Sequence, residues 1–167
     1  MSKRWSIIEK IIASIQILFG LFWICLTFYM IDKHLEIVYR MGYEWNDISI
    51  WKISHHYYDF LLKSLFAIVS GVLLIRGKLS GWLLSEVTWW SFGIAIFRVF
   101  FTSTNDDRDA IPKIFFITLF TIIFLFNLIL ISKPFLYKYR PTIKNWLTII
   151  AVIFLIEIIR ILTRMEF

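Results

Sequence analysis

The sequence predicts an all-α integral membrane protein, a bundle of five transmembrane helices joined by short loops. Three observations carry that prediction. Hydrophobic residues make up 59% of the 167-residue chain and charged residues only 18%, against roughly 25% charged in soluble domains. The apolar residues are gathered into five long runs, and a helix needs about 20 apolar residues at 1.5 Å per residue to cross a hydrocarbon core ~30 Å thick. Basic residues also fall on alternate connections, as expected when cytoplasmic loops retain Lys and Arg.

The spans are expected at about 11–31, 58–76, 80–101, 114–132 and 145–163, all within a single transmembrane domain covering 1–167. The first, around ASIQILFGLFWICLTFYMI, is apolar on all sides. So is the fourth, IFFITLFTIIFLFNLILI. The second is shorter and contains Lys63, the third contains Glu86 and Arg98, and the fifth contains Glu157 and Arg160. Four spans result if the fifth instead lies along the inner surface, but its continuous apolar run favours crossing. A β-barrel would alternate polar and apolar residues along strands of ~10 residues. A soluble helical bundle would show amphipathic stripes. Neither pattern is present.

Charge sets the direction. Lys3, Arg4, Lys10, Arg76, Lys78, Lys133, Lys138, Arg140 and Lys144 face a single acid, Glu9, on one side. The other side carries Lys33, Arg40, Lys52, Arg108 and Lys113 against Asp32, Glu36, Glu44, Asp47, Asp59, Asp106, Asp107 and Asp109. The N-terminus is therefore expected in the cytoplasm. Trp5, Trp82 and Trp146 mark the inner boundary, where indole rings anchor at headgroup depth. The net charge of +6 is explained by this topogenic asymmetry, so no nucleic-acid partner is expected.

Counting residues inward from each boundary places the intramembrane polar residues in two layers. Glu86, Asn127 and Gln16 share an inner depth, with Thr148 near it, and Glu86 is expected to hydrogen-bond Asn127 or to line a wet path. Lys63, Arg98, Glu157 and Arg160 share an outer depth, with Asp59 at the rim. Lys63 and Arg98 are expected to snorkel toward the headgroups, and Glu157 and Arg160, at i and i+3, to pair on one helix face. Ala67-x-x-x-Gly71 and Ser91-x-x-x-Ala95 provide small-residue faces, and RGKLSG a tight hairpin turn at Gly77 and Gly81.

The connection Asp32–Asp59 is expected to be an outer loop that caps the bundle, with KHLEIVYRM as a short amphipathic helix. Within SHHYYD, His55 and Asp59 sit at i, i+4, a weak metal candidate. Phosphate-binding loops, dinucleotide fingerprints, HExxH helices and nucleophile elbows are absent from the sequence, and no cofactor is expected. The lone Cys25 lies inside an apolar run. These features point to a non-enzymatic accessory or interaction subunit, working with further copies of itself or a larger membrane partner. The alternative is a homo-oligomeric channel with its polar section around Glu86. A lipid-acting enzyme using His55, His56 and Asp59 is a third and weaker reading.

Overall fold

The computed structural model describes the backbone of residues 3–40, 50–103 and 113–165, with side chains except at 50–56, 99, 102, 103, 113, 116 and 163–165. Regular structure there is entirely helical: α1 (Lys3–Arg40), α2 (Ile50–Ile75), α3 (Leu79–Ser103), α4 (Lys113–Leu130), α5 (Lys133–Tyr139) and α6 (Ile143–Met165). Among the described residues, three segments are long and apolar enough to cross a membrane: α1, Tyr57–Ile75 of α2, and Ile143–Leu162 of α6. A fourth arises if Ile117–Leu130 and Lys133–Tyr139, bent by 52°, form one broken span. Helix α3 has 25 residues, among them the polar Ser85, Glu86, Thr88 and Ser91. All four are buried. These side chains therefore face protein, in a helix that packs against α2, α4 and α6.

The expected outer loop is largely helix. Helix α1 continues beyond its apolar run for 38 residues in all, about 57 Å at 1.5 Å per residue. Its sequence supplies no breaker there. Glu36 instead bridges Lys33 at 2.7 Å and Arg40 at 2.5 Å, at i−3 and i+4, pairs that support a helix in water. KHLEIVYR is thus the end of α1 rather than a separate element, and α2 begins already at Ile50.

Helices α1 and α2 pack antiparallel through small residues. A Cβ on Gly20 would meet the Ser64 carbonyl oxygen at 2.7 Å, and one on Gly71 would meet the Ala13 carbonyl oxygen at 2.8 Å. The Ala67/Gly71 face therefore serves α1, not the α2–α3 hairpin. That hairpin closes differently. Gly77 turns the chain at φ +67°, a conformation that suits glycine, and Gly81 lies so close that a Cβ would sit 2.4 Å from the backbone of Leu73 and Leu74.

Helix α3 then runs antiparallel to α4 and parallel to α6. Trp89 stacks on Phe126 at 4.6 Å, and Phe97 contacts Phe120 at 6.2 Å, in the opposite chain order. Along α6 the order is the same: Trp82 meets Trp146 at one end, with centroids 5.3 Å apart, and Arg98 reaches Glu157 at 3.4 Å toward the other. On the near side of α3, Phe19 packs on Trp89 and Phe92.

The connection KPFLYKYRPTIK, expected to be a loop, contains α5. Pro134 occupies its first turn, where a missing N–H costs nothing. Arg140 ends it in the left-handed region at φ 44°, its N–H bonding Leu136 O at 2.8 Å. Asn145 Oδ1 accepts from the Thr142 N–H at 3.1 Å, one half of a capping box at the start of α6. The end of α4 is sealed from outside its own helix. The Trp82 indole donates to Leu130 O at 2.9 Å, satisfying one of the carbonyls that every helix C-terminus leaves open.

Candidate functional site

Three polar constellations lie within this scaffold. The first joins α2, α3 and α6 at the end remote from Trp82. Lys63 donates to Asp59 Oδ2 at 2.8 Å and lies 4.0 Å from Glu157 Oε1. Arg98 approaches the same Glu157 oxygen at 3.4 Å, while Arg160 Nε bonds the other at 2.7 Å. The four residues placed at one depth by sequence thus form one network, with Asp59 as a full member. Lys63 does not snorkel. It is 0% exposed and its ammonium turns back one helical turn to the Asp59 carboxylate at i−4. In a low-dielectric interior such mutual neutralisation is what keeps buried charges tolerable.

The second constellation is the polar layer nearer Trp82. Gln16, Glu86 and Asn127 are all buried, at 0%, 0% and 2% exposure, but they do not bond one another. Gln16 Nε2 donates to the Ser70 hydroxyl on α2. Asn127 Nδ2 donates to Ile123 O at 3.1 Å on its own helix, so the expected Glu86–Asn127 bond is not made. Neither carboxylate oxygen of Glu86 has a hydrogen-bond partner among the described residues. The Trp90 side chain, one turn further on, comes near without hydrogen-bonding geometry. Gln16 Oε1, Ser85 Oγ, Trp89 Nε1, Ser91 Oγ and Asn127 Oδ1 share this condition. Thr148 is not part of the layer: it is exposed and bonds Lys144 O.

Asn127 connects the layer to the surface. With Trp90, Gly93, Phe97, Phe120 and Phe124 it lines a groove of about 220 Å³ between α3 and α4. A second hollow of about 220 Å³ continues it past Phe97 and Phe120 to Phe101. Trp90 and Phe97 stand on its rim, 37% and 54% exposed.

The third constellation was not anticipated. Glu9, only 3% exposed, receives Lys138 Nζ at 2.5 and 2.7 Å and the Tyr139 hydroxyl. It fastens α5 to the start of α1, with Trp5 set edge-on to Phe135 at 6.1 Å. The spacing of Phe135, Leu136 and Tyr139 was the available signal for α5, and an isolated acid among nine bases was the signal for its partner.

The metal candidate weakens. Asp59 already accepts from Lys63, and a cation there competes with any metal ion. His55 and His56 have side chains outside the described residues. His34 lies 3.3 Å from the Tyr57 hydroxyl. Among the described residues no three His, Cys, Asp or Glu side chains are grouped to hold a metal. No protein family, curated protein or solved structure matches this chain.

Proposed function

We propose that the chain is a multi-pass membrane protein of five spans, its N-terminus cytoplasmic, acting as a non-enzymatic accessory or interaction subunit through helix contacts. For the span count, the support is that α6 runs parallel to α3 along its length. A helix lying across the membrane surface would not meet both Trp82 and Arg98. For α3, the support is that its polar side chains are buried against neighbouring helices. The direction rests on the basic residues gathered at the Trp82 end.

The observation that carries the function is the α3–α4 groove. It joins exposed aromatic side chains to a buried asparagine whose carbonyl oxygen is unpartnered. Small residues that admit a close approach, here Gly93, and polar atoms that bond across helices are what drive association in lipid. A photoactivatable residue replacing Phe97 should give a protein adduct of defined mass in cells. Filling the groove with Gly93→Leu should abolish it. Adducts with lipid alone would overturn the reading. A band at twice the chain mass would identify the partner as a further copy.

A second reading, a homo-oligomeric channel, is favoured by the unpartnered oxygens of Glu86 and its polar neighbours. Ion flux into liposomes tests it: the channel predicts flux that Glu86→Gln abolishes, whereas an interaction subunit shows none in either form.

A further inference from the structure

The end of the bundle near Trp82 carries a group of exposed cations that no acid pairs with among the described residues. Four contacts bring the relevant elements together there. Lys138 and Tyr139 of α5 meet Glu9 of α1. Lys138 Nζ lies 3.3 Å from where a Cβ on Gly77 would stand, next to the α2–α3 turn. Trp82 meets Trp146 at the start of α6, and its indole reaches Leu130 at the end of α4. Lys3, Arg4, Lys10, Arg76, Lys78, Lys133, Arg140 and Lys144 therefore share one end, and all eight are exposed. Among the described residues none of the eight forms an ion pair with an acid. The one acid at this end among the described residues, Glu9, is buried and already engaged by Lys138 and Tyr139.

Helix α5 adds geometry to charge. Bent 52° from α4, it turns Phe135 and Tyr139 into the protein and leaves Lys133, Tyr137 and Lys138 outside, the pattern of a helix lying at a membrane interface. Arg140 covers the Tyr137 ring at 5.5 Å. Along α1, Ile7, Lys10, Ile11, Ser14, Ile15 and Leu18 line a shallow hollow of about 300 Å³. It has a cation toward one end and apolar walls leading away from it.

We infer that this end is a binding surface for anionic phospholipids, with phosphates held by the exposed cations and one acyl chain lying in the α1 hollow beside Lys10. Zwitterionic lipid would bring its own ammonium to a surface that already has an excess of positive charge. An anionic headgroup supplies the counter-charge that the sequence withholds. Positive loops also orient insertion, but orientation alone does not require Glu9 to be consumed internally, nor α5 to be bent away from α4 with Lys133 and Tyr137 outward. The inference rests on the chain being membrane-embedded and is independent of any protein partner.

The test uses purified full-length protein in mixed vesicles, so insertion by the cell plays no part. Electron paramagnetic resonance of spin-labelled phosphatidylglycerol and phosphatidylcholine reports the lipid immobilised at the protein surface. We expect roughly a fivefold preference for phosphatidylglycerol at the basic end, declining as salt rises. Replacing Lys10, Arg76, Lys78, Lys133 and Arg140 together by Gln should remove it. The opposite-end control K33Q/R40Q should retain it. Equal association of the two lipids, or selectivity that survives the five Gln changes, would overturn the inference. Absence of immobilised lipid of either kind would overturn the membrane reading as well.

Discussion

Lys63 and Asp59 form an ion pair of 2.8 Å on successive turns of α2, with the lysine fully enclosed. The pair sits one contact away from Glu157, which in turn holds Arg98 and Arg160. Charge is therefore shared among three helices.

Removing one member of a buried pair strands the other, at about 3–5 kcal/mol, whereas replacing both with apolar residues is often nearly neutral. Asp59→Leu should lower the midpoint of denaturant-induced unfolding in detergent markedly. The double change D59L/K63M should recover most of the loss. An unchanged midpoint in the single variant would refute the enclosed pair.

Gly81 and Gly93 predict opposite outcomes for the same substitution. A Cβ at Gly81 would stand 2.4 Å from backbone atoms of Leu73 and Leu74, which cannot yield without opening the hairpin. At Gly93 the nearest atom is Ile123 Cγ2 at 3.5 Å, ordinary contact. Gly81→Ala should destabilise by about 3 kcal/mol or more, near the upper range for overpacking. Gly93→Ala should be neutral or slightly stabilising, since alanine is the better helix former by up to ~1 kcal/mol. Thermal melts followed by circular dichroism compare them.

The extension of α1 should respond to acid. Bonds from Lys33 and Arg40 hold the Glu36 carboxyl below its ordinary value of 4.5, and the same contact holds Lys33 above 10.5. A depressed carboxyl contributes stability above its unfolded pKa and loses it as pH falls through the folded value. Protection of the amides near Arg40, measured against their intrinsic exchange rates, should therefore fall below about pH 4, and Glu36→Gln should show that reduced protection already at neutral pH. Being on the surface, the effect should also shrink in high salt.

Glu9 and Lys138 predict a rescue. Glu9→Gln weakens charge-assisted bonds to Lys138 and Tyr139, each worth about 1.5–3 kcal/mol, and should raise proteolysis between α5 and α6. Reversing the pair, E9K with K138E, should restore protection relative to either single change. Full additivity of the two single effects would mean that the residues are not coupled.

Much of this arrangement was legible in the sequence, because rise per residue fixes height along a helix. Height alone placed Lys63, Arg98, Glu157 and Arg160 at one depth, and they meet. The same reasoning set Glu86 and Asn127 level, but height says nothing about rotation, and the Ile123 carbonyl one turn away claimed the Asn127 amide. Asp32 and Lys33 ended the apolar run without ending the helix, since neither breaks a backbone. Two prolines made α5 look like a loop, although one of them only starts it. Glu9 was counted as a charge and not as a partner, because Lys138 and Tyr139 lie about 130 residues further on.

Glu157 also sets a timetable. Under the proposed five-span reading, ribosomes deliver Lys63 and Arg98 to the bilayer well before Glu157 exists, since chains are made from the N-terminus. Until the last helix arrives, both cations must dwell in a nascent intermediate without this carboxylate. Cells that fail to hold that half-made protein open, or translation that stalls before residue 157, would hand quality-control proteases a membrane domain marked by its own missing counterion.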